Sequence, residues 1–464
     1  MLEIRGTGLG VPEIVSVARN AVPVRLAARA RERVEQARAF ADEVAASRPV
    51  YGRSTGVGAN RHLSVDDPAA AASRLLRSHA TSSGPVRSTE RVRAMLVVRL
   101  GQLAAAGNGI GPWVLDALVD LLTGDALPEV REGGSIGTGD LAALATVALA
   151  LETERPLGAG DALAFLSSNA GVVGDAALAV HDLDRLARSA LVVAALSFEA
   201  VRGNAEAFSP AALAATPFAG AARVGTTLRG LVAPADPARI QDPFGLRTLP
   251  QVHGPLLDRL AETTTVVQAL ANTGSENPAL SPELGVAHHG GFHAAYLGQA
   301  LDALRLSLAQ AAQLGLARVS MLNDPELTRQ PAFLGDGTPG ASGVMLLEYD
   351  AAASLAELRR LAAPAGLSSV TLSRGVEEDA SFAAQAARQA LAAVAPYRAL
   401  VAAELVAARR CVVMAGRDLG PVLTGVVADV AGLDGDLADR DLSADLATAA
   451  RALDALADLR AVPG

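Results

Sequence analysis

Long runs of Ala and Leu, with apolar residues at helical spacing, dominate the second half of the sequence. Ala and Leu are strong helix formers, and recurring apolar positions give each helix a face that must be buried. Aromatic residues make up only 3% of the chain, so Ala, Leu and Val must form the core. This pattern predicts an all-α fold with a long central helical bundle. The runs expected to be its main helices are residues 256–272, 294–314, 345–362 and 380–414.

The first half of the chain alternates helical runs with irregular, glycine-rich stretches. Residues 24–46 have helical spacing and are predicted to form one helix, which Pro49 ends. Residues 51–60 and 128–140 are rich in glycine and follow no helical period. We therefore predict two parts. Residues 1–190 form an N-terminal lobe with candidate active-site loops, and residues 191–464 form the long-helix bundle and the C-terminal helices.

Charge and cysteine content exclude several classes of function. The net charge is −9, and nucleic acids and anionic membranes are bound by clustered Lys and Arg, so neither is expected as a partner. The single cysteine, Cys411, cannot form an internal disulfide or a cysteine-rich metal site, and no metal is predicted. Residues 1–11 lack the apolar core of a signal peptide, and the apolar stretches 143–151 and 190–196 are too short to span a bilayer. We expect a cytoplasmic protein.

Seven segments of the chain match, in order, the motifs of one enzyme family. Together they extend over nearly the whole sequence, and helices of fitting length separate them. The chain thus resembles the aromatic amino acid ammonia-lyases, which comprise the histidine, phenylalanine and tyrosine ammonia-lyases and the aminomutases. The segments are YGRSTGVG at 51–58 (family YGxNTGFG), LLRSHA at 75–80 (LLxSHA), the loop from 128 to 142, QDPFGLR at 241–247 (QDxYSLR), PQVHG at 250–254, GGFH at 290–293 (GGNFHG) and EED at 377–379 (QED).

The resemblance implies an all-α homotetramer with active sites at subunit junctions. It also implies elimination of ammonia from an α-amino acid, helped by methylidene-imidazolone, an electrophile that the family forms from its own Ala-Ser-Gly. In this chain Tyr51 matches the catalytic base, although a tyrosine packed in a glycine turn is an alternative interpretation. Arg247 matches the arginine that binds the substrate carboxylate, for which a guanidinium is well suited. The alternative for Arg247 is a surface or structural ion pair.

Four further residues match positions around the substrate. His79 and Glu378 match positions that contact the substrate side chain, and this pair resembles the histidine ammonia-lyases most. Gln241 would orient polar groups nearby, and Phe292 matches an aromatic residue that lines the pocket. The alternatives are a helix histidine with satisfied hydrogen bonds, a solvated carboxylate and an ordinary core phenylalanine.

Departures from the family pattern concentrate on the electrophile. Gly137, Thr138 and Gly139 stand where the family has Ala-Ser-Gly, and the loop is one residue shorter. A dehydrated threonine would carry a methyl group on the carbon that the amine must attack. Phe244 replaces the tyrosine of QDxYSLR, and Ser167 replaces an asparagine that helps to form the electrophile in the family. We therefore expect a chain without this cofactor and with its substrate pocket retained.

Three functions remain open from the sequence. The first is a lyase-type enzyme in specialised metabolism that lacks the imidazolone. It would use Tyr51 for acid/base chemistry (elimination, isomerisation, addition or cyclisation) on a small substrate with a carboxylate. The second is a genuine imidazolone-dependent ammonia-lyase or aminomutase, in which residues 137–139 do cyclise. The third is a non-catalytic relative that binds a ligand or a lyase partner.

Overall fold

The computed structural model describes residues 1–65, 67–124, 126–152, 155–158, 160–430, 432–433 and 435–459. These residues are mostly helical, as the spacing of Ala and Leu predicts. The strands are β1 (Leu2–Ile4), β2 (Val24–Leu26), β3 (Ala279–Ser281) and β4 (Gly285–Ala287). The helices of the first half are α1 (Val11–Asn20), α2 (Ala28–Ser47), α3 (Pro68–His79), α4 (Thr89–Ala104), α5 (Pro112–Thr123), α6 (Leu141–Leu151), α7 (Asp161–Leu166), α8 (Ala170–Ala200), α9 (Pro210–Ala214) and α10 (Ala219–Leu231).

The helices of the second half include the longest one within the described residues, the 32-residue helix Ala383–Met414. They are α11 (Phe244–Arg247), α12 (Leu249–Ala271), α13 (Ala295–Leu322), α14 (Pro325–Thr328), α15 (Met345–Leu361), α16 (Ala383–Met414), α17 (Pro421–Asp429) and α18 (Ser443–Leu456). Short 3₁₀ helices lie at Gly58–Asn60, Ala205–Phe208, Ala332–Leu334, Ala365–Leu367 and Ser373–Gly375. The all-α fold class is confirmed.

The chain divides into two compact units, and each unit is built from several chain segments. The first unit comprises Met1–His181, Thr263–Asp302 and Pro364–Leu391. The second comprises Asp182–Glu262, Ala303–Ala363 and Ala392–Gly464. Four of the five divisions between them fall within α8, α12, α13 and α16, and the fifth follows the end of α15. The predicted boundary near residue 190 is a different partition of the chain and stays a prediction.

The first unit has one continuous apolar core. Helix α4 contributes a nearly unbroken buried run to it, and α6, α7 and the start of α8 pack their Ala, Leu and Val side chains around that run. Strands β1 and β2 pair in parallel, with Leu2 opposite Val24 and Ile4 opposite Leu26. This core supports the irregular loops that surround the candidate site.

In the second unit, a buried ion pair joins α13 and α16. Glu404 accepts hydrogen bonds from Arg318 Nε at 2.6 Å and from Arg318 Nη2 at 2.9 Å. Both side chains are almost fully buried. A third nitrogen of Arg318 donates to the carbonyl oxygen of Gly245 in α11, at 3.1 Å. The pair therefore fixes the short helix that carries Phe244 and Arg247.

The structure corrects several predicted helix limits. The helix predicted for residues 24–46 begins only at Ala28, because Val24–Leu26 pairs with β1. Helix α12 begins at Leu249, before its predicted start at residue 256, and runs through Pro255. Helix α13 continues to Leu322, beyond its predicted end at residue 314. A break at residues 167–169 separates α7 from α8.

Two segments are long and apolar enough to cross a membrane by length and composition, which corrects the expectation that the apolar stretches are too short. They are Asp161–Ala200 and Ala383–Met414. The most apolar 18 residues are 100% buried within the protein in the first segment and 61% buried in the second. Packing inside the fold accounts for the apolar character of the first segment and of the buried part of the second.

Candidate functional site

Six of the predicted site residues line one open cavity of about 1030 Å³ in the first unit. The chain segments that form it are far apart in sequence, and they include the loop after α2, the end of α3, the loop before α6 and the end of α7. The stretches 288–293 and 370–379 complete the lining. The six residues are Tyr51, His79, Thr138, Ser167, Phe292 and Glu378.

Tyr51 is held by the glycine-rich turn that follows it. Its hydroxyl oxygen accepts a hydrogen bond from the backbone N–H of Gly58 at 2.7 Å. Burial raises the pKa of the Tyr51 hydroxyl, and the nearby charge of Glu377 raises it as well. The Gly58 N–H and the charge of Arg61 act in the opposite direction, because both stabilise a phenolate. The pKa is raised on balance, so at neutral pH the phenol is the major form and the phenolate a minor one, and the oxygen is oriented in both.

His79, at the end of α3, has one ring nitrogen occupied by its own helix. Nδ1 lies 3.0 Å from the carbonyl oxygen of Leu75 and 3.0 Å from the hydroxyl oxygen of Ser78. A carbonyl oxygen can only accept, so in the neutral ring Nδ1 carries the proton. Nε2 is then the acceptor that His79 can offer to a ligand.

Two hydrogen bonds fix the first residue, Gly137, of the loop 137–139 that stands in place of the family tripeptide. The carbonyl oxygen of Gly137 accepts hydrogen bonds from the Ser381 hydroxyl at 2.8 Å and from the Ala294 N–H at 3.0 Å. Gly137 has a positive φ of 82°, which glycine adopts readily. Thr138, the next residue, lines the cavity.

Asn169 fixes Gly139, the last residue of this loop, by a hydrogen bond. Asn169 was not among the site residues predicted from the sequence. Its side-chain oxygen accepts a hydrogen bond from the N–H of Gly139 at 3.0 Å, and its side-chain nitrogen donates to the carbonyl oxygen of Phe292. A polar run within an apolar helical stretch was the available signal. The run is the break between α7 and α8, and its polar side chains are buried.

Asp140 anchors the loop to the start of α8. Its carboxylate accepts hydrogen bonds from the Ser135 hydroxyl at 2.6 Å and from the Val172 N–H at 2.9 Å. Burial raises the pKa of this carboxyl group, while the two hydrogen bonds and the charge of Arg87 oppose the rise. Asp140 therefore acts as a buried structural acceptor for this loop.

Ser167 and the stretch around residue 288 form a second set of contacts beside the cavity. The hydroxyl of Ser167 accepts a hydrogen bond from the N–H of Asn277 at 3.2 Å, and the side-chain oxygen of Asn277 accepts one from the N–H of His289 at 2.9 Å. The neighbouring His288 packs edge-on against the ring of Tyr51, with centroids 6.5 Å apart. His288 and His293 line the cavity, although sequence reasoning selected neither of them.

The carboxylates of Glu377, Glu378 and Asp379 form an exposed acidic edge of the cavity. Asp379 Oδ2 lies 3.3 Å from Nε2 of His293. No group of three or more His, Cys, Asp or Glu residues within the described parts of the chain is arranged to hold a metal ion.

Gln241 and Arg247 lie elsewhere, on a cavity of about 410 Å³ in the second unit. The guanidinium of Arg247 stacks 4.4 Å above the ring of Phe244, whose side chain is 62% exposed. Within the described residues Arg247 has no carboxylate partner, and its Nε is buried without a hydrogen bond. The guanidinium therefore remains available for an anion.

The resemblance implies that Tyr51 and Arg247 act on the same substrate. Tyr51 lines the cavity of the first unit and Arg247 the cavity of the second. The roles of both residues stay predictions.

Comparison with known proteins gives consistent matches along the chain. A family model described as aromatic amino acid lyase matches residues 9–157 and 153–431. The histidine ammonia-lyase of Streptomyces avermitilis is 33% identical over 483 residues, covering 96% of this chain and 94% of that protein. The histidine ammonia-lyase of Deinococcus radiodurans is 33% identical over 436 residues, with 86% and 83% covered.

Solved structures agree in fold over 99% of this chain. The tyrosine aminomutase of Streptomyces globisporus has a TM-score of 0.91 at 26% identity, covering 99% of this chain and 98% of that one. The ergothionase of Treponema denticola, an ergothioneine degrading enzyme, has a TM-score of 0.90 at 24% identity, with 99% and 100% covered. At that identity the second likeness concerns the fold alone.

Proposed function

Because the chain belongs to the aromatic amino acid lyase family, we propose that it is a lyase that works without the methylidene-imidazolone. In this proposal Tyr51 transfers a proton on a small substrate that carries a carboxylate. The observation that carries the proposal is the way in which Gly137 and Gly139 are held by hydrogen bonds from outside their loop.

The residues of the loop do not fit the prosthetic group. Closing an imidazolone ring removes the first carbonyl oxygen of the tripeptide as water and uses the last N–H. Here the Gly137 carbonyl oxygen accepts two hydrogen bonds, and the Gly139 N–H donates one to Asn169. Cyclisation would break all three, at about 1 kcal/mol each. The methyl group of Thr138 would add crowding at the reactive carbon.

Tyr51 has the placement that a proton-transfer group needs. Its oxygen is oriented by the Gly58 N–H, which would also stabilise a phenolate as the proton moves. The hydroxyl lies on the cavity that Thr138 and His79 line, so a substrate bound there would meet it. Without an electrophile, the departing group must leave more easily than ammonia does, either as it stands or when an acid protonates it as the bond breaks. Proton transfer with loss of such a group, isomerisation or conjugate addition fits these requirements.

We propose that Arg247 binds the carboxylate of the substrate in an assembled homotetramer. Its guanidinium has no carboxylate partner within the described residues, although a fork of this kind suits a carboxylate. The resemblance implies active sites at subunit junctions, so Arg247 of a second copy would complete the cavity that contains Tyr51. A cytoplasmic location and a role in specialised metabolism are further parts of this proposal.

The test combines intact mass with a matched set of substrates. Histidine, its trimethylammonium betaine and imidazole-lactate differ only in the departing group and would all give urocanate. Two further sets of substrates, in which a phenyl or a 4-hydroxyphenyl ring replaces the imidazole, serve in the same way. We expect an intact mass equal to that of the sequence, no turnover of the amino acids, and turnover of a compound with a better leaving group that Tyr51→Phe abolishes.

Other outcomes select the alternatives. A mass deficit of about two waters together with turnover of an amino acid would show a genuine imidazolone-dependent ammonia-lyase or aminomutase. No turnover of any compound would favour the non-catalytic relative. Turnover that persists in Tyr51→Phe would remove Tyr51 from the mechanism.

A further inference from the structure

His293 is an ionisable group that lines the same cavity as Tyr51 and has no role in the mechanism proposed above. Its side chain is 29% exposed, and its Nε2 is buried without a hydrogen bond among the described residues. The nearest acidic atom is Asp379 Oδ2, at 3.3 Å. A small rotation of either side chain would make this contact a hydrogen bond, which would orient the ring and leave Nδ1 to face a substrate.

The backbone on both sides of His293 is bonded to the loop at residues 137–139. The carbonyl oxygen of Phe292 accepts from Asn169, which also binds the Gly139 N–H. The N–H of Ala294 donates to the Gly137 carbonyl oxygen at 3.0 Å. The two neighbours of His293 thus hold it beside Thr138, at the place where the family would have its electrophile.

The departing group determines whether an acid at this place is useful. An alkylammonium or a trimethylammonium group has no free electron pair on nitrogen, so a proton donor cannot assist its departure. A hydroxyl group has electron pairs, and it leaves poorly unless it is protonated as the bond breaks. Histidine is the side chain best suited to give up a proton near neutral pH.

Resting on the proposed function, we propose that His293, oriented by Asp379, is the general acid for the departing group, and that this group is a hydroxyl. The substrate class is then a hydroxy acid with a ring-bearing side chain, and the reaction is a dehydration.

The step balances without a further reagent. The phenolate of Tyr51 takes a proton from the carbon next to the one that carries the hydroxyl. The electron pair of that C–H bond forms the C=C bond, the C–O bond breaks, and its oxygen takes a proton from the imidazolium of His293 to leave as water. Tyr51 ends protonated and His293 neutral, and exchange of one proton with solvent restores both.

The experiment uses the full-length protein and the matched substrate sets, with four variants. His293→Asn removes the acid. Asp379→Asn changes a carboxylate that is 83% exposed and keeps the fold intact. Tyr51→Phe tests the base. His289→Asn is the matched control from the same stretch, because an asparagine oxygen can replace the His289 Nδ1 that accepts the Gly291 N–H.

We expect the wild type to dehydrate a 2-hydroxy or 3-hydroxy acid of one set. His293→Asn should lower kcat for it by about 100-fold or more, in the range typical of a general acid. Asp379→Asn should lower kcat by about tenfold, since an exposed carboxylate contributes less. His289→Asn should behave as the wild type.

Failure of this inference is distinguishable from failure of the proposed function. Turnover of a betaine but of no hydroxy acid, lost in Tyr51→Phe, would overturn the dehydration and leave the proposed function standing. Dehydration that His293→Asn leaves unchanged would remove His293 as the acid. Dehydration that Tyr51→Phe leaves unchanged would overturn the proposed function itself.

Discussion

The hydroxyl of Ser381 donates a hydrogen bond to the carbonyl oxygen of Gly137 at 2.8 Å, and this contact leaves no room for a side chain at residue 137. A Cβ atom built on Gly137 would lie 2.1 Å from the Ser381 oxygen and 2.7 Å from the backbone nitrogen of Ala383. The hydroxyl can rotate away, but the backbone nitrogen cannot. The alanine with which the family tripeptide begins is therefore incompatible with this loop.

Gly137→Ala should destabilise the protein by about 2–4 kcal/mol, because it combines a strained φ with a steric clash. Gly285→Ala is the matched control, since Gly285 has a similar φ of 86° and nothing within 4 Å of its Cβ position. The control should lose only about 1 kcal/mol, from backbone strain. Urea unfolding of both variants measures the difference. Equal losses would mean that the clash at residue 137 is relieved at no cost.

Thr138→Ser should not create the prosthetic group. The substitution removes the crowding methyl group, but the loop stays one residue short, and the hydrogen bonds at Gly137 and Gly139 remain. The intact mass should equal that of the variant sequence, and no new near-ultraviolet absorbance band should appear. A deficit of about two waters in this variant would show that the methyl group alone prevents cyclisation.

Glu276→Ala should destabilise the first unit strongly, because it leaves a buried charge on Arg99. The two side chains are 2% and 0% exposed, and Arg99 Nη1 lies 2.7 Å from Glu276 Oε1. Removing one member of such a pair costs about 3–5 kcal/mol. Glu129→Ala is the control, since the pair of Glu129 with Arg131 is exposed and should contribute at most about 1 kcal/mol. Urea unfolding of both variants compares them, and similar losses would contradict the burial argument.

The sequence predicted most helices because their signal is local. Apolar spacing in Ala- and Leu-rich runs is enough to place α15 and α16 near their observed bounds. It could not predict that Val24–Leu26 is a strand, because the partner of that segment lies some twenty residues earlier in the chain. The predicted start of α12 at residue 256 was wrong, because the helix begins at Leu249 and runs through Pro255.

The candidate site was predicted only in part, because many of its contacts join residues that are far apart in the sequence. Motif matches selected six residues that do line one cavity, but they say nothing about the contacts that fix its loop. Asn169 binds the carbonyl oxygen of Phe292, which is 123 residues away, and His293 meets Asp379 only through the fold. Nor did the motifs indicate that Arg247 lines a different cavity of the single chain.

The alkaline limb of the pH profile should report Tyr51 if its phenolate is the base and His293 is the acid, because Tyr51 must be ionised and His293 protonated in the same molecule. Burial raises the pKa of the Tyr51 hydroxyl, so this limb of kcat/KM should lie at higher pH than the pKa of an ordinary tyrosine. Glu377→Gln removes a charge that raises the pKa and should move the limb to lower pH. Arg61→Gln removes a charge that lowers it and should move the limb to higher pH. Both shifts should be a few tenths of a pH unit, because the two side chains are exposed. A shift of both variants in the same direction would exclude Tyr51 as the group that titrates.

His253 should make the protein less stable in mild acid. Burial lowers the pKa of its imidazole to about 4, while the ring lies 3.0 Å from the carbonyl oxygen of Ala187. The folded state therefore binds fewer protons than the unfolded state, whose histidine has a pKa near 6.5. This contribution to stability is complete above about pH 6.5 and is lost as the pH falls toward 4, amounting to about 2 kcal/mol between pH 7 and pH 5. His253→Gln keeps a donor for Ala187 and does not titrate, so its urea unfolding free energy should fall by about 2 kcal/mol less than that of the wild type over this interval. An equal fall in both proteins would show that other groups cause the acid sensitivity.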